Sequence, residues 1–273
     1  MLDGVDTAAL EDSLEGLPAN AAPKKMRWRG VDTTPVRGID DVRAFFDRCA
    51  ATGFREPHGR PAQLLAYRIG LIRRHARLQA EDVVLDVGCG TGQHLLAVAP
   101  EIARGIGVDL SPGMIELASR KLHASAWHDR LAFQVGDASG LDGLASGSID
   151  LALCVGALEH IVDKLAALSS VHRVLRPGGR LFCLTPDGAH PWYRTVAPRL
   201  GIATKHLSTD RFLTRPELES LLPRAGFARI EVGDWSFLPR GDMPLPPRWL
   251  FGALDRLGVA ALHGGLRFCA WKG

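Results

Sequence analysis

The residues best suited to chemistry form a glycine-rich turn that follows an apolar segment. That segment, 83–87, is continuous in apolar side chains except for Asp86. The turn after it contains the glycines and a cysteine: Gly88, Cys89, Gly90 and Gly92. Glycines at this spacing let the backbone turn sharply, and they let a ligand approach main-chain atoms that side chains would otherwise screen. The segment therefore predicts a strand that ends in a ligand-binding turn.

The spacing of the turn limits which ligand it can hold. A dinucleotide fingerprint needs a third glycine at position 93, where a pyrophosphate rests on the helix N-terminus, and this chain has Gln93. No Gly-Lys-Ser/Thr sequence follows, so a P-loop is also excluded. The turn is shaped for a nucleoside-like ligand but not for its phosphates, which counts against a nicotinamide-dependent dehydrogenase.

Two further acids stand at the ends of predicted strands. Asp109 ends the second strand, where a carboxylate can accept hydrogen bonds from both ribose hydroxyls of a nucleoside. Asp137 ends the third strand, where it can accept a hydrogen bond from an adenine amino group while a backbone N–H at Ala138 meets a ring nitrogen. Acids after strands also cap helices and form turns, but three of them in register with a glycine turn favour a ligand site.

The elements that must position these residues alternate between strands and helices. Short β-rich segments are predicted at 83–87, 105–109, 131–135, 149–154, 180–185, 228–232 and 266–271. Helices are predicted at 40–51, 61–78, 92–103, 112–122, 163–175 and from Thr214, with Glu217 at the capping-box position. Such alternation predicts an α/β fold, a doubly wound and mostly parallel sheet covered by helices on both faces.

Composition excludes several classes of protein. The chain has 273 residues, of which 46% are hydrophobic and 23% charged, so it can form a sizeable core. A net charge of +3 is too balanced to indicate a nucleic-acid binder. No apolar stretch approaches the roughly 20 residues that a membrane helix needs. The five cysteines form no CxxC pair, which suits a reducing cytoplasm and excludes a zinc ribbon.

The motifs resemble those of class I S-adenosylmethionine-dependent methyltransferases of the small-molecule type, including those of ubiquinone biosynthesis. The resemblance covers about residues 82–186 and follows the family's order: 85–92, 107–112, 136–138 and 175–179. It implies a seven-stranded Rossmann-like sheet whose last strand is antiparallel, with S-adenosyl-L-methionine across the carboxyl ends of the first strands.

The resemblance also assigns roles to the residues of these motifs. Asp86 and the backbone of the glycine turn would hold the methionine end of the cofactor, and Asp109 would hold the ribose with Leu110 beside it. Asp137 and Ala138 would hold the adenine. Val155, at the end of the fourth strand, completes the predicted cofactor set.

The acceptor side is predicted to follow the fourth strand, at Leu158-Glu159-His160. This run resembles small-molecule O-methyltransferases, while the signatures of nucleic-acid-base and arginine methyltransferases are absent. His160 is the candidate general base, with an ordinary pKa of about 6.5, or else it only packs beside the cofactor. Glu159 would orient the imidazole or cap the short helix after the strand. No pair of His, Asp or Glu has metal-ligand spacing, so no metal is predicted.

The remaining segments are assigned by composition. Residues 1–39 are predicted to be a mobile tail and basic tether, and 40–273 a single methyltransferase domain. Within the domain, residues 40–80 form N-terminal helices, 82–186 the cofactor-binding core, and 187–213 and 237–265 variable substrate or lid segments. The apolar and aromatic residues of the last segment would line a site for an apolar acceptor, or form a satellite core or a dimer contact.

The predicted activity is methyl transfer to a small, apolar metabolite such as a phenol, quinone or lipid-like molecule, with oxygen favoured over nitrogen or carbon as acceptor atom. Transfer of another group from the cofactor and a non-catalytic, cofactor-binding subunit are the alternatives. The predicted protein is cytoplasmic, binds no nucleic acid and has no integral membrane segment, with peripheral membrane contact if the acceptor is lipid-like. The oligomeric state is not indicated.

Overall fold

Seven strands form one sheet in a computed structural model that describes residues 36–52, 61–196, 199, 205, 207–235 and 264–273. The strands are β1 Val83–Val87, β2 Arg104–Asp109, β3 Leu131–Val135, β4 Ile149–Val155, β5 Leu175–Pro186, β6 Arg229–Trp235 and β7 Gly265–Trp271. Their order in the sheet is β3-β2-β1-β4-β5-β7-β6. Strands β1 to β5 pair in parallel, and β7 is antiparallel to both β5 and β6. The predicted α/β class and doubly wound, seven-stranded sheet are confirmed.

Helices connect the strands where the sequence predicts them. They are α1 Ile39–Ala51, α2 Pro61–His75, α3 Gln93–Val98, α4 Pro112–His123, α5 Lys164–Val174 and α6 Arg215–Arg224. Local residues set their first turns: Ser111 accepts from the N–H of Met114 at the start of α4, and Asp163 accepts from the N–H of Ala166 at the start of α5. The predicted capping box of Thr214 and Glu217 is present at the start of α6.

The largest differences from the predicted boundaries are in α3 and β5. The prediction of a helix over 92–103 was wrong in its second half. Helix α3 ends at Val98 and is followed by a short 3₁₀ turn, Ala99–Glu101, which contains Pro100. Strand β5 begins earlier than predicted, at Leu175. Its pairing with β4 shifts register between Ile149 and Leu151, so the Arg176-Pro177-Gly178-Gly179 segment lies at an irregularity inside a longer strand.

Buried side chains lie on both faces of the sheet. One cluster packs α5 and α6 against residues such as Leu85, Ala152 and Phe268. The other packs α2 and α3 against residues such as Val84, Leu153 and Phe182. Because adjacent strand residues point to opposite faces, the continuous apolar runs of β1 and β4 fit a sheet covered on both sides.

Several predicted segments lie outside the described residues. These are nearly all of the N-terminal tail, 1–35, and nearly all of the lid segment predicted at 237–265. Part of the other variable segment, 187–213, is described and contains a short π-helical turn, Trp192–Val196.

Candidate functional site

The carboxyl ends of parallel strands bring the sequence-predicted residues to one edge of the sheet. Strand β1 lies between β2 and β4, with Asp86 paired to Gly107 on one side and to Leu153 on the other. The turns after these strands therefore meet beside β1. In open α/β sheets, ligands bind at this edge, where connections leave for opposite sides of the sheet.

The glycine turn has a backbone that only glycine adopts readily. Gly88, Gly90 and Gly92 have φ angles of +69°, +52° and +76°. A Cβ on Gly88 would lie 2.4 Å from the Cβ of Ala157, and one on Gly92 would lie 2.5 Å from the ring of Phe133. The same test at Gly90 finds no atom within 4 Å. The outer glycines therefore let the turn pack closely, while the middle one borders open space.

Asp86 is a buried carboxylate with an unusual environment. Its side chain is 1% exposed, and among the described residues neither carboxylate oxygen has a hydrogen-bond partner. Burial, together with the charge of Asp109, raises its pKa to about 7. A buried, unpartnered carboxylate is unfavourable unless a cation or donor reaches it, so this position favours a positively charged ligand group.

Asp109 ties the second strand to the glycine turn. One of its oxygens accepts from the N–H of Gly90 at 2.8 Å, and the other accepts from the N–H of Ser111 at 2.9 Å. Burial raises the pKa of Asp109, although these two hydrogen bonds oppose the shift. Since each carboxylate oxygen can accept more than one hydrogen bond, the group can still accept from a diol. Leu110 follows it directly and is partly buried.

The other predicted cofactor residues lie at neighbouring strand ends. Asp137 accepts from the N–H of Ser139 at 2.8 Å, and Asp137 and Ala138 are both partly buried. Cys89 is buried within the glycine turn, and burial raises the pKa of its thiol, so it is suited to packing rather than to reaction as a thiolate. Val155 is buried at the end of β4.

His160 lies in the turn after β4 and is held from two sides. Its Nδ1 is 2.8 Å from Oδ1 of Asp210, whose side chain is fully buried. The ring of Phe46 from α1 packs edge-on against the imidazole with centroids 5.4 Å apart. Burial lowers the pKa of His160, but the hydrogen bond that its ring makes to the Asp210 carboxylate and the charges of Glu159 and Asp210 together raise the pKa above its ordinary value. The imidazole is thus fixed in orientation and is more basic than usual.

The carboxylate of Glu159 is hydrogen-bonded to a residue of strand β5. Its carboxylate accepts from the Oγ1 of Thr185 at 3.3 Å, and its burial raises its pKa. Its influence on His160 is electrostatic, whereas Asp210 makes the hydrogen bond to the ring. Lys164 fixes the turn that carries both residues, because its Nζ donates to the carbonyls of Ile161 at 2.7 Å and Glu159 at 3.2 Å.

The sequence analysis did not single out Asp210, because it lies outside every motif and 50 residues from His160. Its own neighbours hold it in place: it accepts from the N–H of Leu207 at 2.9 Å, and its N–H donates to the carbonyl of Leu207. An acid three residues after the N–H it binds is typical of a tight turn, and that pattern was the one signal available.

Comparison with known proteins identifies the family. A family described as "Methyltransferase domain" matches residues 85–183. A demethylmenaquinone methyltransferase of Symbiobacterium thermophilum is 36% identical over 202 residues, which cover 68% of this chain and 76% of that protein. An O-methyltransferase of Pyrenophora dematioidea is 35% identical over 162 residues, covering 55% of this chain and 56% of that protein.

A solved structure shows the same fold. The geranyl diphosphate C-methyltransferase of Streptomyces coelicolor A3(2), solved with Mg²⁺, geranyl diphosphate and S-adenosyl-L-homocysteine, superposes with a TM-score of 0.62 at 14% identity. The match covers 85% of this chain and 96% of that one.

The fold, the glycine turn and these relatives define a Rossmann-like transferase that uses S-adenosyl-L-methionine. The chain belongs to the class I S-adenosylmethionine-dependent methyltransferases and is an enzyme of the small-molecule type. Within the described ranges, no helix is long and apolar enough to cross a bilayer, and no group of three His, Cys, Asp or Glu is arranged to hold a metal ion.

Proposed function

We propose that the residues at the carboxyl edge of β1, β2 and β3 hold the cofactor in the order expected from the sequence. Asp86 and the glycine-turn backbone would hold the methionine end, and Asp109 the ribose. Asp137 and Ala138 would hold the adenine. The unpartnered, buried carboxylate of Asp86 supports the first assignment, because the methionine end carries an ammonium group. The open space at Gly90, whose N–H binds Asp109, supports placing the ligand across this turn.

The reaction that we propose is methyl transfer to a hydroxyl oxygen of a small, apolar acceptor. The bound cofactor supplies an electrophilic methyl group on a sulfonium, so the protein must place a nucleophile in line with it. A hydroxyl reacts well only when it loses its proton, which requires a base. His160 is suited to this role because it follows β4, next to the turn after β1.

The observation that carries this proposal is the contact between His160 and Asp210. A proton on Nδ1 that is donated to the buried carboxylate leaves the lone pair of the neutral imidazole on Nε2. The carboxylate also stabilises the imidazolium that forms when Nε2 accepts a proton. The pair therefore has the arrangement of a general base and its orienting acid.

Methylation at carbon is the second candidate. It is supported by a relative from Geobacter sp. (strain M21), 30% identical over 170 residues, which is named a ubiquinone/menaquinone biosynthesis C-methyltransferase. The same base would serve both reactions. Removing the proton of a ring hydroxyl gives an anion whose charge is shared between the oxygen and ring carbons. The atom placed in line with the methyl group then decides the product.

The test uses S-adenosyl-L-methionine labelled with ¹³C in the methyl group and a panel of catechols, hydroquinones and naphthohydroquinones. We expect a product one methylene heavier, whose ¹³C chemical shift is that of a methoxy group. A chemical shift typical of an aryl methyl group would show methylation at carbon instead of oxygen.

His160→Gln should slow turnover by about 100-fold or more with little effect on cofactor affinity. The exposed His128 provides the matched control, His128→Gln. If His160→Gln turns over at the wild-type rate, His160 is not the general base.

The remaining expectations about this enzyme stay proposals. They are an apolar acceptor, no nucleic-acid partner, a cytoplasmic location, and peripheral membrane contact only with a lipid-like acceptor. The acceptor panel addresses the first of these. Adding RNA or DNA to the same assay addresses the second, since neither should gain label.

A further inference from the structure

A tyrosine lies on the acceptor side of the site and takes no part in activation by His160. Tyr193 belongs to the π-helical turn Trp192–Val196, which follows strand β5. Its ring packs edge-on against Phe212, with centroids 4.9 Å apart, and against His190, with centroids 6.1 Å apart. Single π-helical turns are rare and occur frequently at functional sites. This geometry makes the tyrosine a candidate for contact with the acceptor.

The segment on which this tyrosine packs is hydrogen-bonded to the turn that carries the general base. Phe212 comes two residues after Asp210, whose carboxylate is 2.8 Å from Nδ1 of His160. Between Asp210 and Phe212, the N–H of Arg211 donates to the carbonyl of Glu159 at 3.1 Å. One short segment of the chain therefore contacts both the imidazole of the base and the tyrosine ring, which places the two rings on the same side of the site.

The phenol group of Tyr193 is close to two carboxylates at the carboxyl edge of the sheet. Burial raises its pKa, and the negative charges of Glu159, after β4, and Asp187, directly after β5, raise the pKa further. The phenol therefore stays protonated near neutral pH. Its O–H can donate a hydrogen bond and its oxygen can accept one. A hydroxyl or carbonyl oxygen on the acceptor can form a hydrogen bond with this group, whereas an unsubstituted ring edge cannot.

We propose that Tyr193 hydrogen-bonds a second oxygen on the acceptor, and that the preferred substrates are aromatic rings that carry two oxygens. One oxygen would be methylated beside His160 while Tyr193 holds the other. The inference rests on the proposed methyl transfer to a hydroxyl activated by His160. A site that hydrogen-bonds a substrate oxygen disfavours an analogue without it, because the polar group of the site then loses that hydrogen bond. Two fixed points also orient a planar ring toward the methyl group.

Packing alone is the alternative role of Tyr193, since its ring contacts Phe212 and His190. A tyrosine that only packs acts through its ring, and Tyr193→Phe keeps that ring. A tyrosine that binds the acceptor acts through its oxygen, and Tyr193→Phe removes only that oxygen. The two roles therefore differ in how the variant chooses between acceptors with and without a second oxygen.

The experiment compares 1,4-dihydroxynaphthalene with 1-naphthol, which lacks the second oxygen, under anaerobic conditions and with methyl-labelled S-adenosyl-L-methionine. The measured quantity is the ratio of the two kcat/KM values, expressed per reacting hydroxyl. In the wild-type enzyme this ratio should favour the dihydroxy compound by about 10-fold or more. Tyr193→Phe should lower the ratio by about 5-fold or more, chiefly by slowing the dihydroxy compound, because it removes one hydrogen bond.

Tyr67→Phe is the matched control, since Tyr67 is the other tyrosine of the chain and packs against Trp235 with ring centroids 6.2 Å apart. It should keep the wild-type ratio. An unchanged ratio in Tyr193→Phe would overturn the proposal, as would equal slowing of both acceptors or a wild type that does not distinguish them. Label transfer to neither acceptor in the wild type would instead reject the proposed function, and this inference with it. Unchanged affinity of Tyr193→Phe for S-adenosylhomocysteine shows that the variant is folded.

Discussion

At the scale of single residues, His160 and Asp210 together explain how a hydroxyl acceptor could be activated. The base must be neutral to accept a proton, and its pKa lies above the ordinary 6.5 in the folded enzyme. Turnover should therefore rise with pH, with an inflection above 6.5. The Asp210 carboxylate both orients the ring and contributes to this shift.

Asp210→Asn separates these effects. The amide can still accept a hydrogen bond from Nδ1 but carries no charge, so the inflection should move to lower pH and the maximal rate should fall by about 10-fold or more. The pH dependence of kcat for both proteins measures this. Affinity for S-adenosylhomocysteine should not change. If Asp210→Asn keeps the wild-type inflection, Asp210 only packs against His160.

The raised pKa of Asp86 leads to a second prediction at the scale of residues, which concerns the affinity for the cofactor. A pKa of about 7 means that a large fraction of the free enzyme carries a protonated Asp86 near neutrality. An ammonium group favours the ionised form, so binding should release a proton. Below pH 7, the affinity for S-adenosylhomocysteine should weaken by up to about 10-fold per pH unit.

Calorimetry in two buffers of different ionisation enthalpy counts the released proton and follows the affinity from pH 5.5 to 8. Asp86→Asn should bind weakly at every pH and release no proton from this site. An affinity that is independent of pH in the wild type would show that Asp86 does not bind the ammonium.

At the scale of elements, one carboxylate of the N-terminal helix α1 makes two hydrogen bonds to the cofactor core. Asp47 accepts from the Oγ of Ser111 at 2.5 Å and from the N–H of Gly113 at 3.0 Å, at the start of α4. No acid lies in the first turn of α4 itself. Asp47 therefore supplies the negative charge that the N-terminus of a helix favours, and it does so from another helix.

Asp47→Ala should lower the free energy of unfolding by about 1–2 kcal/mol, because it removes two hydrogen bonds and the favourable charge at the helix end. Urea denaturation measures the change. Asp129→Ala, at an acid whose side chain is 87% exposed, should change stability by no more than about 0.5 kcal/mol. A loss no larger than that of the control would mean that α1 is held to the core by other contacts.

The elements themselves were predictable where a local rule defines them. Apolar runs fixed β1 and β4, and the Thr214–Glu217 pair marked the start of α6. The predicted boundaries were wrong where the chain departs from regular geometry, at Pro100 and at the irregularity in β5. The glycine turn and Asp109 were predictable because their spacing is local. Asp210 and Asp47 were not, since each acts on a residue distant in sequence.

At the scale of the whole molecule, acids whose ionised form is disfavoured by burial lie together at the carboxyl edge of the sheet. Burial raises the pKa of three acids there, Asp86, Asp109 and Glu159. Acids elsewhere behave differently: the Thr214 N–H and Arg211 lower the pKa of Glu217, and the hydrogen bond from Arg176 lowers the pKa of Asp150. The free enzyme therefore carries at its site charges that oppose folding, as functional sites commonly do.

This distribution predicts how the stability of the free enzyme depends on pH. Asp86 has a pKa of about 7 in the folded enzyme against an ordinary value of 3.8, so between these values the folded state binds more protons than the unfolded state. The free energy of unfolding should therefore fall as pH rises through this window, by at most about 1.4 kcal/mol per pH unit from this group, and level off above it.

Urea denaturation of wild type and Asp86→Asn from pH 5 to 8 isolates this contribution, because the other titrating groups are common to both proteins. Asp86→Asn should become more stable relative to wild type as pH rises to about 7, after which the difference should remain constant. Saturating S-adenosylhomocysteine should reduce the loss in the wild type, since its ammonium lowers the pKa of Asp86. A difference that does not change with pH would mean that Asp86 is ionised in the free enzyme, and the cation it needs would then have to come from the protein itself.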